Sequence, residues 1–328
     1  MTVSPKKVLS IAGSDSGGGA GIQADLKTIA ALGCYGLTAI TALTAQNTQG
    51  VRAIHAPEPE FLRQQLEAVF EDIGADAVKI GMLHSPEIVA VVANALRRFK
   101  PAHIVLDPVM VATSGDALIT PQTQESIVEK LFPLADVITP NLDELSLLVG
   151  EPITRPHQFE AAALKIFELG AKAVLIKGGH LDQPNLVDVL YEMDRHGPSG
   201  LAMTAKKEGR AVTAKKEGRA VTAKKEGRAM TGNKPSLRGA SAPWQSIATE
   251  IVRPRINTNN LHGTGCTLSS AIACFLAQGY PLKAAVKGGQ DYVYQAIEAA
   301  VDMQIGHGHG PVNHSFNPQP LQLYDTNN

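Results

Sequence analysis

Cysteine is scarce in this chain, and so are aromatic residues, long apolar runs and any excess of one charge. The three cysteines, Cys34, Cys266 and Cys274, are odd in number and far apart. That excludes a disulfide framework and a cysteine-built zinc site, and it fits reduced thiols in a cytoplasmic protein. Thirty basic side chains stand against 31 acidic ones. So even a balance gives no reason to expect nucleic acid or an anionic membrane as partner, although a local site can still hold a compact anion. No stretch reaches the roughly 18 uninterrupted apolar residues of a spanning helix. The first apolar run, 8–12, stops at Gly13 and is too short for the core of a signal peptide. What the chain does have is 44% apolar residues over 328 positions, enough for a sizeable core in one large domain with an insertion.

Short apolar runs alternate with amphipathic stretches. Runs 8–12, 38–43, 77–80, 104–106, 137–139 and 173–176 read as buried strands. Ile22, Leu26 and Ile29 recur at helical spacing, with Gly33 where a C-cap would fall. Phe61, Leu62, Leu66, Val69 and Phe70 make a second helical stripe, and Ile88, Val91, Val92, Leu96 and Phe99 a third. This alternation predicts an α/β fold with a mostly parallel sheet covered on both faces. One region breaks the pattern. Residues 204–212 read TAKKEGRAV, 213–221 repeat it, and 222–230 read TAKKEGRAM. Three basic nonapeptides cannot bury a core. The surrounding glycines and prolines extend the insertion to about 194–248, expected to be exposed and without a fold of its own. A basic arm for an anionic partner is the functional alternative.

In parallel sheets ligands bind beyond the carboxyl ends of the strands, so the residues after each run carry the chemistry. The strongest signal is Gly263-Thr264-Gly265-Cys266, between His262 and an apolar helix. Two glycines let several backbone N–H groups converge, and the helix start adds its positive dipole end. Such a cradle can stabilise a phosphoryl group in transfer. A cysteine there is expected to have a lowered pKa and to accept a proton from a substrate hydroxyl. The alternative is a glycine-rich cap over a structural thiol. Cys34 and Cys274 lack that context and read as core.

The turn 12–21 holds five glycines in nine positions, but it is neither a Gly-Lys-Ser/Thr phosphate loop nor a clean dinucleotide fingerprint. Asp25 follows it, where a carboxylate could reach a ligand hydroxyl or amine. Gln46 and Asn47 follow the second run, Gly81 and Met82 the third, and Asp107 the fourth. Asn141 and Glu144 follow the fifth, and Lys177, Gly178 and Gly179 the sixth. Each alone could be a cap, a turn or a solvated charge. Their recurrence on one predicted edge points to one shared site. Asp107 and Glu144 are oxygen ligands of the kind Mg2+ takes, and Lys177 could neutralise a triphosphate. His84, His180 and His262 lie beside these motifs without metal-site spacing.

Seven stretches carry a resemblance to a known family: IAGSDSGGGAGIQADLKT at 11–28, ITALTAQNTQGV at 40–51, KIGML at 79–83, VLDPVM at 105–110, ITPNLDE at 138–144, IKGGH at 176–180 and HGTGCTLSSA at 262–271. The chain resembles the hydroxymethylpyrimidine/phosphomethylpyrimidine kinases of thiamine biosynthesis, in the ribokinase-like superfamily. The resemblance implies a three-layer α/β/α sandwich formed as one kinase domain over 1–328 and interrupted at about 194–248. It implies two successive ATP- and Mg2+-dependent phosphorylations, of 4-amino-5-hydroxymethyl-2-methylpyrimidine and then of its monophosphate, by a cytoplasmic homodimer. Phosphorylation of pyridoxal, pyridoxine or pyridoxamine is the alternative. By the same resemblance Asp25, Gln46, Gly81, Met82 and Val109 line the ring pocket. Asp107 and Glu144 serve the metal, and Lys177, Gly178, Gly179 and Asn141 the nucleotide. Gly263, Thr264 and Gly265 form the anion hole and Cys266 is the base. The insertion departs from the family, whose members pass through this region by a short turn.

Overall fold

The computed structural model describes residues 3–110, 118–179, 181, 184–193 and 246–325. The first part of the chain forms β1 (Val3–Pro5), β2 (Lys7–Asp15), α1 (Gly21–Ala31), β3 (Tyr35–Asn47), β4 (Gly50–His55), α2 (Pro59–Ala68), β5 (Ala77–Ile80) and α3 (Pro86–Phe99). Then come β6 (His103–Leu106), α4 (Pro121–Leu131), β7 (Val137–Ile138), α5 (Leu142–Val149), α6 (Phe159–Glu168), β8 (Ala173–Ile176) and β9 (Asn185–Met193). The chain ends through β10 (Ser246–Pro254), α7 (Thr264–Ala277), α8 (Leu282–Glu298) and β11 (Leu323–Asp325). All six runs read as strands hold a strand, the fifth ending at Ile138, one residue short of Thr139.

Nine strands form one sheet in the order β10-β9-β8-β7-β6-β5-β2-β3-β4. From β8 across to β3 neighbours are parallel, while β4, β9 and β10 pair antiparallel at the two edges. Successive strand residues face opposite layers, as a two-residue period requires. Leu9, Val78, Ile138 and Ile176 join a core with α2, α3, α4, α5 and α6. Their neighbours Val8, Ala77, Val137 and Leu175 join a second core with α1, α7 and α8. This is the three-layer α/β/α arrangement. Among the described residues no helix is long and apolar enough to cross a membrane.

Helix starts follow the local chemistry. Ser85 caps α3 by accepting from Ile88 N, with Pro86 behind it, and Thr120 caps α4 through Thr123 N. Three local readings change. β3 runs on past residue 43 because β4 pairs with its end, Gln46 opposite Val51, so Gln46 and Asn47 are strand residues. Phe61 is 57% exposed while Leu62 and Leu66 are fully buried, because a one-residue step turns a side chain about 100° around the helix. Gly33 lies one position beyond the cap Leu32, at φ +73°.

Residues Met1–Met193 and Ser246–Asn328 make one compact unit, and Asp194–Gln245 are the second unit. The second unit, and the nonapeptide repeat in it, lies outside the described residues. Its ends are informative nonetheless. Met193 pairs directly with Ser246, and β10 takes up residues 246–248 that the pattern assigned to the insertion. The connection therefore leaves and re-enters the sheet at one rung. Deleting 204–230 about halves it, worth roughly 0.6 kcal/mol in closure entropy. The deletion should unfold with a free energy within about 1 kcal/mol of the full chain in urea. A larger loss would mean that the repeat holds part of the core.

Candidate active site

Two glycine turns meet above the sheet. Asp15, at the end of β2, folds the first around its own carboxylate. Its Oδ1 accepts from Gly17 N at 2.7 Å, and its Oδ2 from Gly19 N at 3.0 Å and Ala20 N at 2.8 Å. The second turn, at Gly263, opens α7 in the left-handed region at φ +81°. A Cβ on Gly263 would stand 1.8 Å from Gly19 O, so only glycine permits this approach.

Beside the turns lies a charged cluster. Asp107 Oδ1, just past β6, accepts from Thr139 Oγ1 at 3.0 Å and from Lys177 Nζ at 3.1 Å. Burial opposes the charge on Lys177, but Asp107 and Glu144 outweigh it and raise its pKa. Glu144 forms a capping box with Asn141: Asn141 N donates to Glu144 Oε2 at 2.8 Å and Glu144 N to Asn141 Oδ1 at 2.9 Å. Burial pushes the Glu144 carboxyl up to about 7. Lys177 pulls it down and Asp107 pushes it further up. A Cβ on Gly265 would lie 3.3 Å from Asp107 Oδ2 and 3.4 Å from Lys177 Nζ. The start of α7 thus sits directly against the Asp107–Lys177 pair.

These groups line one cavity of about 570 Å³. Gln46, Met82 and Val109 are on its wall, as are Asp107, Asn141, Glu144, Lys177, Gly179 and the whole stretch from Gly263 to Cys266. Three expected residues are not. Asp25 lies beneath the floor, fully buried, with both oxygens 2.9 Å from Lys79 Nζ. It also accepts from Ser10 Oγ at 2.6 Å and Ser270 Oγ at 2.8 Å, so it is occupied from within rather than open to a ligand. Gly81 presses on the same pair, since its Cβ would meet Lys79 Nζ at 2.8 Å. Gly178 faces β9 instead, donating from N to Asp188 Oδ1 at 2.8 Å.

The expectation of a lowered Cys266 pKa is overturned. Burial pushes this thiol up to about 11, and the carboxylates of Asp25 and Asp107 add to the rise. The ammonium of Lys79 offsets only part of it. A helix start alone does not make a thiolate when its surroundings are dry and carry carboxylates. Cys34 and Cys274 are buried, as read.

Sequence reasoning passed over Asp15, Asp188, Arg255 and the contacts of His262. Asp15 had a usable signal, as the single carboxylate inside a glycine run. Asp188 and Arg255 had none, because β9 and β10 carry them to the cavity only by pairing. Arg255 Nη2 donates to Gly179 O at 3.1 Å and to Leu181 O at 2.6 Å, clamping that loop. His84 is not on the cavity wall, and His180 lies outside the described residues.

A family model described as phosphomethylpyrimidine kinase matches residues 15–215 and 227–313. The chain belongs to the phosphomethylpyrimidine kinase family. It is 43% identical over 307 residues to a hydroxymethylpyrimidine/phosphomethylpyrimidine kinase of Rhizobium meliloti, covering 93% of this chain and 96% of that protein. It is 37% identical to the Escherichia coli protein of the same name, again over 93% and 96%. Among solved structures, phosphomethylpyrimidine kinase of Clostridium difficile matches at TM-score 0.63 and 37% identity, over 89% of this chain and 99% of that one. An ADP complex of Bacillus subtilis pyridoxal kinase matches at TM-score 0.73 and 32% identity, over 95% and 98%.

Removing the Lys79 charge leaves the Asp25 carboxylate buried without its counter-ion, and such a break costs about 3–5 kcal/mol. Lys79→Met should lose that much unfolding free energy in urea. A variant as stable as the parent, with weakened substrate binding alone, would return Asp25 to the cavity wall.

Proposed function

We propose that this chain is an ATP-dependent kinase of 4-amino-5-hydroxymethyl-2-methylpyrimidine and of its monophosphate, acting in thiamine biosynthesis. The observation that carries the reading is the seating of the Gly263–Gly265 turn against Lys177 and Asp107. It brings an anion-binding helix start, a cation and a carboxylate to one end of a cavity whose other wall holds Gln46, Met82 and Val109. The names of the sequence relatives and the ADP complex of a structural relative support the same assignment.

In the first reaction the hydroxymethyl oxygen attacks the γ-phosphorus. A new O–P bond forms, the bond to the β–γ bridging oxygen breaks, ADP leaves, and the hydroxyl proton must be taken up. The N–H groups of Gly263 and Gly265 would meet the developing charge on the phosphoryl oxygens, Thr264 N being held by Leu261 O at 3.3 Å, and Lys177 would neutralise part of that charge. In the second reaction a phosphate oxygen of the monophosphate is the nucleophile. Cys266 is the proposed acceptor of the hydroxyl proton. Its pKa near 11 means that the resting group is a neutral thiol, so base action belongs to the small thiolate fraction.

The donors present fit Mg2+. That ion takes one or two carboxylates and fills its remaining positions with water and phosphate oxygens. Asp107 and Glu144 supply two crowded carboxylates, and no group of three His, Cys, Asp or Glu is found among the described residues. Bound there, Mg2+ would neutralise charge on the triphosphate. The proposal extends to one kinase domain over 1–328 with its insertion, assembled as a homodimer in the cytoplasm and serving small-molecule substrates. Pyridoxal phosphorylation is the second reading, favoured by the TM-score of 0.73 to the Bacillus subtilis enzyme. A coupled assay with the pyrimidine, its monophosphate and pyridoxal side by side decides between them. Turnover of the monophosphate to the diphosphate is expected, and pyridoxal as the sole substrate would reverse the order.

Cys266→Ala should lower kcat by roughly 10²-fold, the lower end for general-base assistance, with pyrimidine affinity kept. Because a thiolate is the active form and its pKa lies near 11, wild-type kcat should climb as pH rises from neutral toward 9. The climb should vanish in Cys266→Ala. Turnover of that variant within a few-fold of wild type would remove Cys266 from the chemistry.

Glu144→Gln should raise the Mg2+ concentration needed for half-maximal turnover and lower the plateau. An unchanged Mg2+ titration would reduce Glu144 to the cap of α5.

A further inference from the structure

His262 stands where the two glycine turns meet the ring wall, and it is 9% exposed. Its Nε2 is 3.1 Å from Asp15 Oδ2 and 3.3 Å from Gln46 Nε2. Across the same amide, Gln46 Oε1 is 3.1 Å from Thr44 Oγ1, which in turn lies 2.9 Å from Ser14 O. Counting protons decides what this arrangement means.

Asp15 is ionised. Burial raises its pKa, but hydrogen bonds from His262, Ala20 N and Gly17 N outweigh that and hold it below the usual carboxylate value. An ionised carboxylate only accepts, so His262 Nε2 must carry a proton. An amide nitrogen only donates. Two donors therefore face each other at 3.3 Å. On the other side, the single hydroxyl proton of Thr44 has two acceptors to serve, Ser14 O and Gln46 Oε1. A half-turn of the amide about its terminal bond removes both conflicts. Gln46 Oε1 then accepts from His262, which shares its proton with Asp15. Gln46 Nε2 then donates to Thr44 Oγ1, whose proton stays on Ser14 O.

We propose that Thr44 and the Asp15–His262 pair are positioning residues that lock the Gln46 amide with its oxygen toward His262. This orientation makes the site read a donor beside the glycine turn and an acceptor beside Thr44. The inference rests on Gln46 being a reader of the substrate ring. It also gives the ring a direction. In the aminopyrimidine, the exocyclic amine sits next to the carbon that bears the hydroxymethyl group, and a ring nitrogen lies on the amine's other side. An amine held by Gln46 Oε1 beside His262 turns the hydroxymethyl group toward Gly263 and Cys266, the residues that follow in the chain. The opposite amide orientation would set donor against donor and favour a ring turned away from them.

The test compares the aminopyrimidine with its oxo analogue, in which a carbonyl replaces the amine and the adjacent ring nitrogen carries a proton. The ratio of kcat/KM for the two is measured in wild type, Gln46→Leu, His262→Leu and His262→Gln, along with KM for ATP. Wild type should prefer the amine, and Gln46→Leu should lose the preference. His262→Leu should reduce the ratio by roughly tenfold, the effect of one mispaired polar group, with KM for ATP unchanged. His262→Gln, which keeps an N–H at the same distance along the side chain, should restore most of it. His262→Leu with the wild-type ratio, or with KM for ATP rising in step, overturns the lock while Gln46 keeps its role. A wild-type preference untouched by Gln46→Leu removes the ring reader and the lock together. Nitrogen-15 NMR of the imidazole in the wild-type protein needs no variant: a proton on Nε2 is expected, and a ring protonated only on Nδ1 overturns the proposal.

Discussion

Between Gly19 and Gly263 there is no room for a side chain, and the cavity depends on that contact. With a Cβ on Gly263 only 1.8 Å from Gly19 O, the start of α7 can lie directly on the turn that follows β2. The contact brings His262 within reach of Asp15 and Gln46, and it carries Gly265 to the Asp107–Lys177 pair. The close approach is held from the side as well. Asp15 satisfies three backbone N–H groups of its own loop, so the turn cannot relax away without leaving them unpaired.

Charge beneath the cavity is arranged differently from charge on its wall. Under the floor, Lys79 and Asp25 are sealed off and saturated by Ser10 and Ser270, tying α1 and α7 to the sheet. On the wall, Asp107, Glu144 and Lys177 are crowded and unevenly matched, with two carboxylates to one ammonium. Burial holds Glu144 near 7 and leaves the cluster ready for added positive charge. The same dryness that makes phosphoryl stabilisation strong keeps Cys266 a thiol, so the two demands on this end of the cavity oppose each other.

Much of this was legible in the chain. The strand 173–176 is buried on both faces, and its continuous apolar run announces it; strand 77–80 is buried as fully, with Lys79 as its one charged member. The rule that chemistry follows the carboxyl ends of parallel strands then located Met82, Asp107, Asn141 and Lys177 correctly on one edge. It misplaced Asp25, because a helical carboxylate near a glycine turn reads the same whether it faces the cavity or a lysine below. It misjudged Cys266 because a pKa depends on everything within several ångströms, and Lys79, Asp25 and Asp107 come from three distant segments.

The sequence by itself determined the α/β order, the parallel core of the sheet, the family and the loop positions of most polar residues, since these follow from local periodicity and from motifs contiguous in the chain. Only the tertiary structure decided which of those residues reach the cavity. It extended β3 so that Gln46 stands in a strand, brought Asp188 and Arg255 in by pairing β9 with β10, and set His262 between Asp15 and Gln46. Each of these joins segments far apart in the chain, and the register of a pairing or the protonation of a shared hydrogen bond is a property of both partners together.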